Sequence, residues 1–499
     1  MSQVLVNSTR WSLLLKITGI LFLLSFVVSK IIILPGYLSA TLALAWILYV
    51  PFGLGSLFTH LPIKPIQSFS NELYKIKFVN IVVKWFLGFF LIISLTSIFL
   101  LGQFRIEGVL GLSLLTVSSI SNFFFPSKIG KNFKKNTLLL IIIILILGIL
   151  FAAYVRSFSP YPLSPGMDTF THMYVIKSIL NNSPNSPLVY PPTFDMMIAL
   201  SSNTFNADLT EVFWAGPFLL FPLLAISLYA MSYRFTRNHS HALLTTIIGL
   251  AITEMGLIAN VQFFFPASFT MSIFPGILFV MDSIWSISKI NKKSSCFFTL
   301  IVLGGYILLH LPNGVVGSIL IIVYLIFFHS VKNNLFNFLI KICTMFLTII
   351  LFLYYLKYLT SQIIFPNIHK LFNLQEPDDY SYVLSTKIMH LTTWYTNEII
   401  ILSLLGLFAI SLSKERKTSI LGFISAIFLI IYFQDITYIH RSMALERPLI
   451  AFAAAALLVT PLNIFESKFI KKMKSRLKRE KYSLQISRNQ INAHAQESG

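Results

Sequence analysis

Charge is what this sequence has least of. Only 11% of its 499 residues are charged, while 56% are hydrophobic; an ordinary soluble domain carries roughly 25% charged residues. A chain so poor in charge cannot cover a water-facing surface, which excludes a soluble globular protein. Sustained apolar–polar alternation is missing too, because the apolar stretches are continuous, and that argues against a transmembrane β-barrel. Cysteine is scarce. Cys296 and Cys343 are the only two, they have no zinc-ligand spacing, and both fall on the side assigned below as cytoplasmic, so free thiols and no disulfide are expected. No glycine-rich nucleotide-binding loop and no internal repeat is evident.

What the sequence has instead is a succession of apolar runs of about 20 residues, the length that crosses a hydrocarbon core as a helix. The mean hydropathy is +0.78. The expected fold is an all-α, polytopic helical membrane protein with about fourteen spans. Their cores fall at about 11–34, 37–60, 80–101, 107–126, 137–155, 209–233, 241–263, 267–288, 296–311, 314–330, 336–357, 397–413, 418–434 and 448–465. The first run is longer than a signal-peptide core and lacks a small-residue cleavage site, so it is read as an uncleaved span.

The few charges are mostly positive, 38 Lys and Arg against 18 Asp and Glu, for a net +20. In a soluble chain that excess would suggest nucleic acid. In a membrane chain it marks cytoplasmic loops, and no nucleic-acid partner is expected. Lys75 and Lys77, Lys131 and Lys134, Arg234 and Arg237, Lys292 and Lys293, Lys332, and Arg416 and Lys417 all follow even-numbered spans, as does the tail from Lys468. The alternation places both termini in the cytoplasm, with a cell membrane as the expected location.

The opposite side holds three loops, at about 156–208, 358–396 and 435–447, and long ordered loops tend to carry function. The first contains SPGMDTFTHMYVIKSIL. Pro160, Pro162, Pro165 and Gly166 break the preceding helix, and Asp168 stands where a new one begins. That helix is amphipathic and too short to span, so it should lie in the membrane interface. A spacing of four puts Asp168 and His172 on one face. A carboxylate at a helix N-terminus stays ionised and can act as a base or hold a cation. The simplest alternatives are an N-cap for Asp168 and an interfacial polar residue for His172. Pro191 and Pro192 then open a second flat helix near Thr193.

Two further acid sites stand out. Glu376, Asp378 and Asp379 form the densest acid cluster; it could gather a divalent cation, the only cofactor the sequence suggests, although a solvated turn is the simpler reading. Glu254 lies inside the seventh run, where an ionisable group is costly and marks function by default.

The order of an acid, a short flat helix and then YPPTFDMMIAL resembles the first outer loop of GT-C superfamily glycosyltransferases, the protein O-mannosyltransferase-like membrane enzymes. The resemblance covers about 150–215. LLHLPNG, from Leu308 to Gly314, and HRSMALERPLIAFAAAAL, from His440 to Leu457, resemble features of such proteins more weakly. Thr169 stands where many relatives have a second acid, and Tyr190 stands where the usual residue is His.

The resemblance implies transfer of a sugar from a polyprenyl-phosphate donor to a hydroxyl of a glycan, lipid or protein. Asp168 would be the general base, with His172 and Glu254 the other candidate catalytic groups. The leaving lipid phosphate needs cations or hydrogen-bond donors. Candidates are Arg441, Arg447, His310 and Asn313, with Tyr190 also lining the substrate site. A snorkelling anchor is the plain alternative for Arg447, and a packing residue for His310.

The motif-bearing loop follows the fifth span, whereas the family's usually follows its first. The expected division is therefore 1–136 as accessory, peripheral spans, 137–466 as the catalytic membrane core and 467–499 as a basic tail near anionic membrane lipid. A multispan transporter or lipid-linked oligosaccharide flippase is the alternative, and a non-catalytic scaffold or polymerase-like protein the third reading. Depth separates the first two: a transporter needs a polar cavity at the midplane, and the enzyme needs a polar cleft at the outer interface.

Overall fold

The computed structural model describes residues 2–61, 77–101, 108–124, 135–157, 167–181, 193–252, 266–286, 292–330, 334–363, 397–413, 415–433, 445 and 447–459. Among these the fold is all helical, with no strand. The helices are α1 (Ser2–Ile31), α2 (Gly36–Thr59), α3 (Lys77–Leu101), α4 (Gly108–Phe124), α5 (Lys135–Arg156), α6 (Met167–Leu180), α7 (Thr193–Phe205), α8 (Leu209–Ala215) and α9 (Pro217–Thr236). Then follow α10 (His239–Ala251), α11 (Pro266–Trp285), α12 (Lys292–Leu309), α13 (Leu311–Ser330), α14 (Asn334–Ile363), α15 (Asn397–Ser411), α16 (Arg416–Phe433) and α17 (Arg447–Val459).

Five stretches are long and apolar enough to cross a membrane: Gly36–Thr59, Leu139–Arg156, Leu209–Thr236, Pro266–Trp285 and Leu311–Phe328. The protein is thus an integral membrane protein by the length and composition of its helices. Burial orders the bundle. The α11 stretch is 94% buried, against 28% for that of α5, so α11 is central and α5 lies at the rim. The exposed side of α1 is apolar, with Ile20, Leu21, Leu24 and Val27 turned outward, as a lipid-facing helix requires.

The peripheral placement expected for the first four spans does not hold for α2 and α3. The two pack against each other, α2 also touches α4, α7 and α8, and α3 reaches α7, α11 and α12. Glycine makes the α2–α3 contact possible. A Cβ at Gly55 would stand 1.7 Å from the Lys84 carbonyl oxygen, and one at Gly88 would stand 1.7 Å from that of Pro51, so the two backbones touch where only glycine fits.

Helices α2, α9 and α11 each contain an interior proline, Pro51, Pro222 and Pro275. Each lacks the N–H that would bond the carbonyl four residues earlier. At Pro51 the loss is made good from outside, because the Trp85 indole N–H donates to the Ile47 carbonyl oxygen over 3.2 Å. These three helices and α3 wall an apolar cavity of about 260 Å³, lined among others by Phe52, Trp85, Phe86, Leu223, Phe269 and Ile273.

One end of the bundle is tied by an ion-pair hub. Asp282, near the end of α11, is fully buried. It accepts from Arg234 Nε at 2.5 Å, from Lys417 Nζ at 2.6 and 2.8 Å, and from the Tyr324 hydroxyl at 2.7 Å. Four helices, α9, α11, α13 and α16, thus meet on one carboxylate. Cys296 and Cys343 are exposed free thiols.

Candidate functional site

Helix α6 carries its site residue because of its periodicity. His172, Val175, Ile176 and Ile179 are buried, while Phe170, Thr171, Tyr174 and Lys177 face out. That i, i+3, i+4, i+7 stripe packs on α7 and α8. Helix α7 departs from the expectation of a flat surface helix. Every residue of it except Asn203 is buried, because α1, α2, α3, α4, α6 and α12 surround it. Its side chains are apolar or small enough to be enclosed, with one exception: Asp195, in its first turn.

Asp195 and His172 meet. The His172 Nδ1 lies 2.9 Å from Asp195 Oδ1, with the imidazole 4% and the acid 0% exposed. The other carboxylate oxygen, Oδ2, has no hydrogen-bond partner among the described residues. Burial pushes the Asp195 carboxyl above its ordinary value, and the hydrogen bond and charge of His172 pull against that shift. The ring of Phe194 stands edge-on to His172, with centroids 6.4 Å apart. An orphaned oxygen on a sealed acid is costly to keep, and such groups concentrate at functional sites.

A second polar group adjoins α7. Thr193 donates its hydroxyl to the Leu308 carbonyl oxygen at the end of α12. His310 sits at the α12–α13 junction, 8% exposed, and its Nδ1 accepts the Asn313 backbone N–H at 3.3 Å. Asn313 is fully buried. Its Nδ2 donates to the Ala267 carbonyl oxygen and to Thr270 Oγ1, both at 3.1 Å, while its Oδ1 has no partner among the described residues. Phe194 also packs on Phe269, at 5.7 Å between centroids, and Phe269 on Trp85, at 6.1 Å. Those last two rings line the apolar cavity. Two buried polar groups thus adjoin α7 and the start of α11, each with one acceptor oxygen unpartnered among the described residues, and packed rings run from His172 to an apolar chamber.

Of the residues singled out from sequence, the structure links His172, His310 and Asn313 through the first turn of α7 and the start of α11. Arg447 is buried at the first position of α17, 4% exposed. Asp168 falls in the first turn of α6; its side chain lies outside the described residues, as do Tyr190, Glu254, Arg441 and the Glu376, Asp378 and Asp379 cluster. Among the described residues no group of three or more His, Cys, Asp or Glu could hold a metal. Asp195 was missed by the sequence reading although it sits inside YPPTFDMMIAL. The signal was there: it is the one acid in a 13-residue helix that is otherwise apolar or neutral. Comparison of the chain with protein-family models, with curated proteins and with solved structures finds no match.

Proposed function

We propose that the chain is a GT-C-type membrane glycosyltransferase. It moves a sugar from a polyprenyl-phosphate-linked donor to an acceptor hydroxyl on a glycan, lipid or protein at the outer face of the cell membrane. The chain then crosses the bilayer about fourteen times with both termini in the cytoplasm. The observation that carries the reading is the nearness of two unlike environments: the His172–Asp195 pair, packed on Phe194, and, through Phe269, an apolar cavity of about 260 Å³. A lipid-linked sugar has the same two halves. A transporter for polar solutes draws no support from that cavity, whose lining is almost wholly apolar.

The chemistry is an inverting displacement. A base accepts the proton of the acceptor hydroxyl, the freed oxygen pair bonds the anomeric carbon, and the bond to the phosphate oxygen breaks with its pair staying on the phosphate. The resemblance makes Asp168 a candidate for that base, with His172, one turn on, the other. Arg441 and Arg447 are the candidates for stabilising the leaving phosphate. Residues 137–466 supply the reacting groups, α2 and α3 from 1–136 form one part of the chamber wall with α9 and α11 the other, and the tail 467–499 rests on anionic lipid.

The test is transfer by the full chain in nanodiscs, offered a panel of polyprenyl-phosphate hexoses and membranes from a strain lacking the gene. Release of polyprenyl phosphate with a sugar added to a membrane component is expected. Asp168→Asn should reduce it by roughly 10²–10⁴-fold. Proteoliposomes that move a lipid-linked sugar or a solute across the bilayer with no sugar transferred would overturn the reading in favour of the transporter.

A further inference from the structure

The two members of the His172–Asp195 pair differ in exposure. The Asp195 side chain is sealed at 0% exposure, while 5% of the His172 side chain remains open. Nδ1 of His172 is committed to Asp195 Oδ1, and Nε2 has no hydrogen bond to any described residue. Above the raised value of Asp195 its carboxylate can only accept, which holds the imidazole as the Nδ1–H tautomer and leaves a lone pair on Nε2.

Resting on the glycosyl-transfer reading above, we infer that His172 is the base that takes the acceptor's proton and that Asp195 is the positioning residue that makes it one. The acceptor O–H bond breaks and its proton goes to Nε2. The oxygen pair forms the bond to the anomeric carbon, and the carbon–phosphate-oxygen bond breaks with its pair leaving on the phosphate. The imidazolium so formed stands against the Asp195 carboxylate, so the pair passes from one negative charge to none. That is the advantage of the arrangement in an apolar pocket. A histidine alone would have to become a bare buried cation, which burial opposes; here the cation forms paired with the Asp195 carboxylate. Asp168, one turn earlier on the same helix, is the competitor for the role.

Two readouts on the full chain in nanodiscs decide between them. ¹⁵N-histidine NMR, with His172→Gln supplying the difference spectrum, reports the tautomer without any reaction. The Nδ1–H form is expected in the wild type and its loss in Asp195→Asn. Steady-state transfer from the polyprenyl-phosphate hexose panel gives the second readout. His172→Gln and Asp195→Asn should lower kcat by roughly 10²–10⁴-fold with little change in KM. If Asp195→Asn fails to fold, His172→Gln still decides. Near-normal transfer by His172→Gln, with Asp168→Asn inactive, overturns the inference and leaves glycosyl transfer standing with Asp168 as base. A wild type with the expected tautomer that transfers no sugar removes the reaction itself, and this inference with it.

Discussion

Two acids in this molecule are equally buried and entirely different. Asp282 and Asp195 both have 0% exposure. Around Asp282 both oxygens are taken, by Arg234, Lys417 and Tyr324. Around Asp195 one oxygen meets His172 and the other meets nothing among the described residues. Helix α11 runs between the two regions, with Phe269 and Thr270 against the polar cluster at its start and Asp282 near its end. The contrast separates two uses of a buried charge. A fully compensated acid holds helices in place, whereas a partly compensated one keeps capacity for a proton or a substrate.

Removing Asp282 should give the largest loss of stability. Asp282→Ala leaves Arg234 and Lys417 without their counter-charge, and breaking a buried pair this way costs about 3–5 kcal/mol. The lower end is expected, because the cations keep 29% and 21% side-chain exposure. Thermal unfolding in nanodiscs measures it, and an unchanged midpoint would remove the distinction drawn here.

Asp195→Asn should go the other way. Burial raises the folded-state value of this carboxyl above its ordinary 3.8, so between those two values the native state holds a proton that the unfolded chain has released. The stability it contributes is complete below the unfolded value and is lost as pH rises through the folded one. The variant lacks that slope. Its midpoint relative to wild type should climb with pH from about 4 upward and then level off. A difference that is flat, or that falls with pH, would show that His172 already compensates the acid as fully as the hub compensates Asp282.

The smallest effect serves as a control between the two regions. Trp85→Phe keeps a ring in the cavity wall but removes the donor to the Ile47 carbonyl oxygen. It should cost about 0.5–1.5 kcal/mol and leave the His172 tautomer untouched.

Much of the scaffold was legible in the sequence. Most apolar runs became helices near their expected ends, although α1 begins at Ser2 rather than about 11, the run 209–233 is split into α8 and α9, and α10 stops at Ala251 where a span to about 263 was expected. The α6 and α7 starts fell at Met167 and Thr193, because proline and glycine breaks act locally. What was not legible depended on contacts between distant segments. Nothing in the α2 or α3 sequence says that Gly55 and Gly88 let two backbones touch, so these spans read as peripheral. Helix α7 read as a surface element for the same reason: its modest apolarity hid the six helices that enclose it. His172 was found by its spacing from Asp168, yet its observed partner lies 23 residues away. Only folding brings Asp195 to it.

The three interior prolines have a mechanical consequence. Pro51, Pro222 and Pro275 lie in three of the four helices around the cavity, next to lining residues such as Phe52, Leu223 and Gly276. Each interrupts its backbone ladder at that level, and helices bend where the ladder is interrupted. A bilayer thicker or thinner than the helices loads their ends. Bending at the prolines falls at the level of the chamber wall. Bilayer thickness therefore acts on the volume of the chamber first, like a hand on the waist of a bellows.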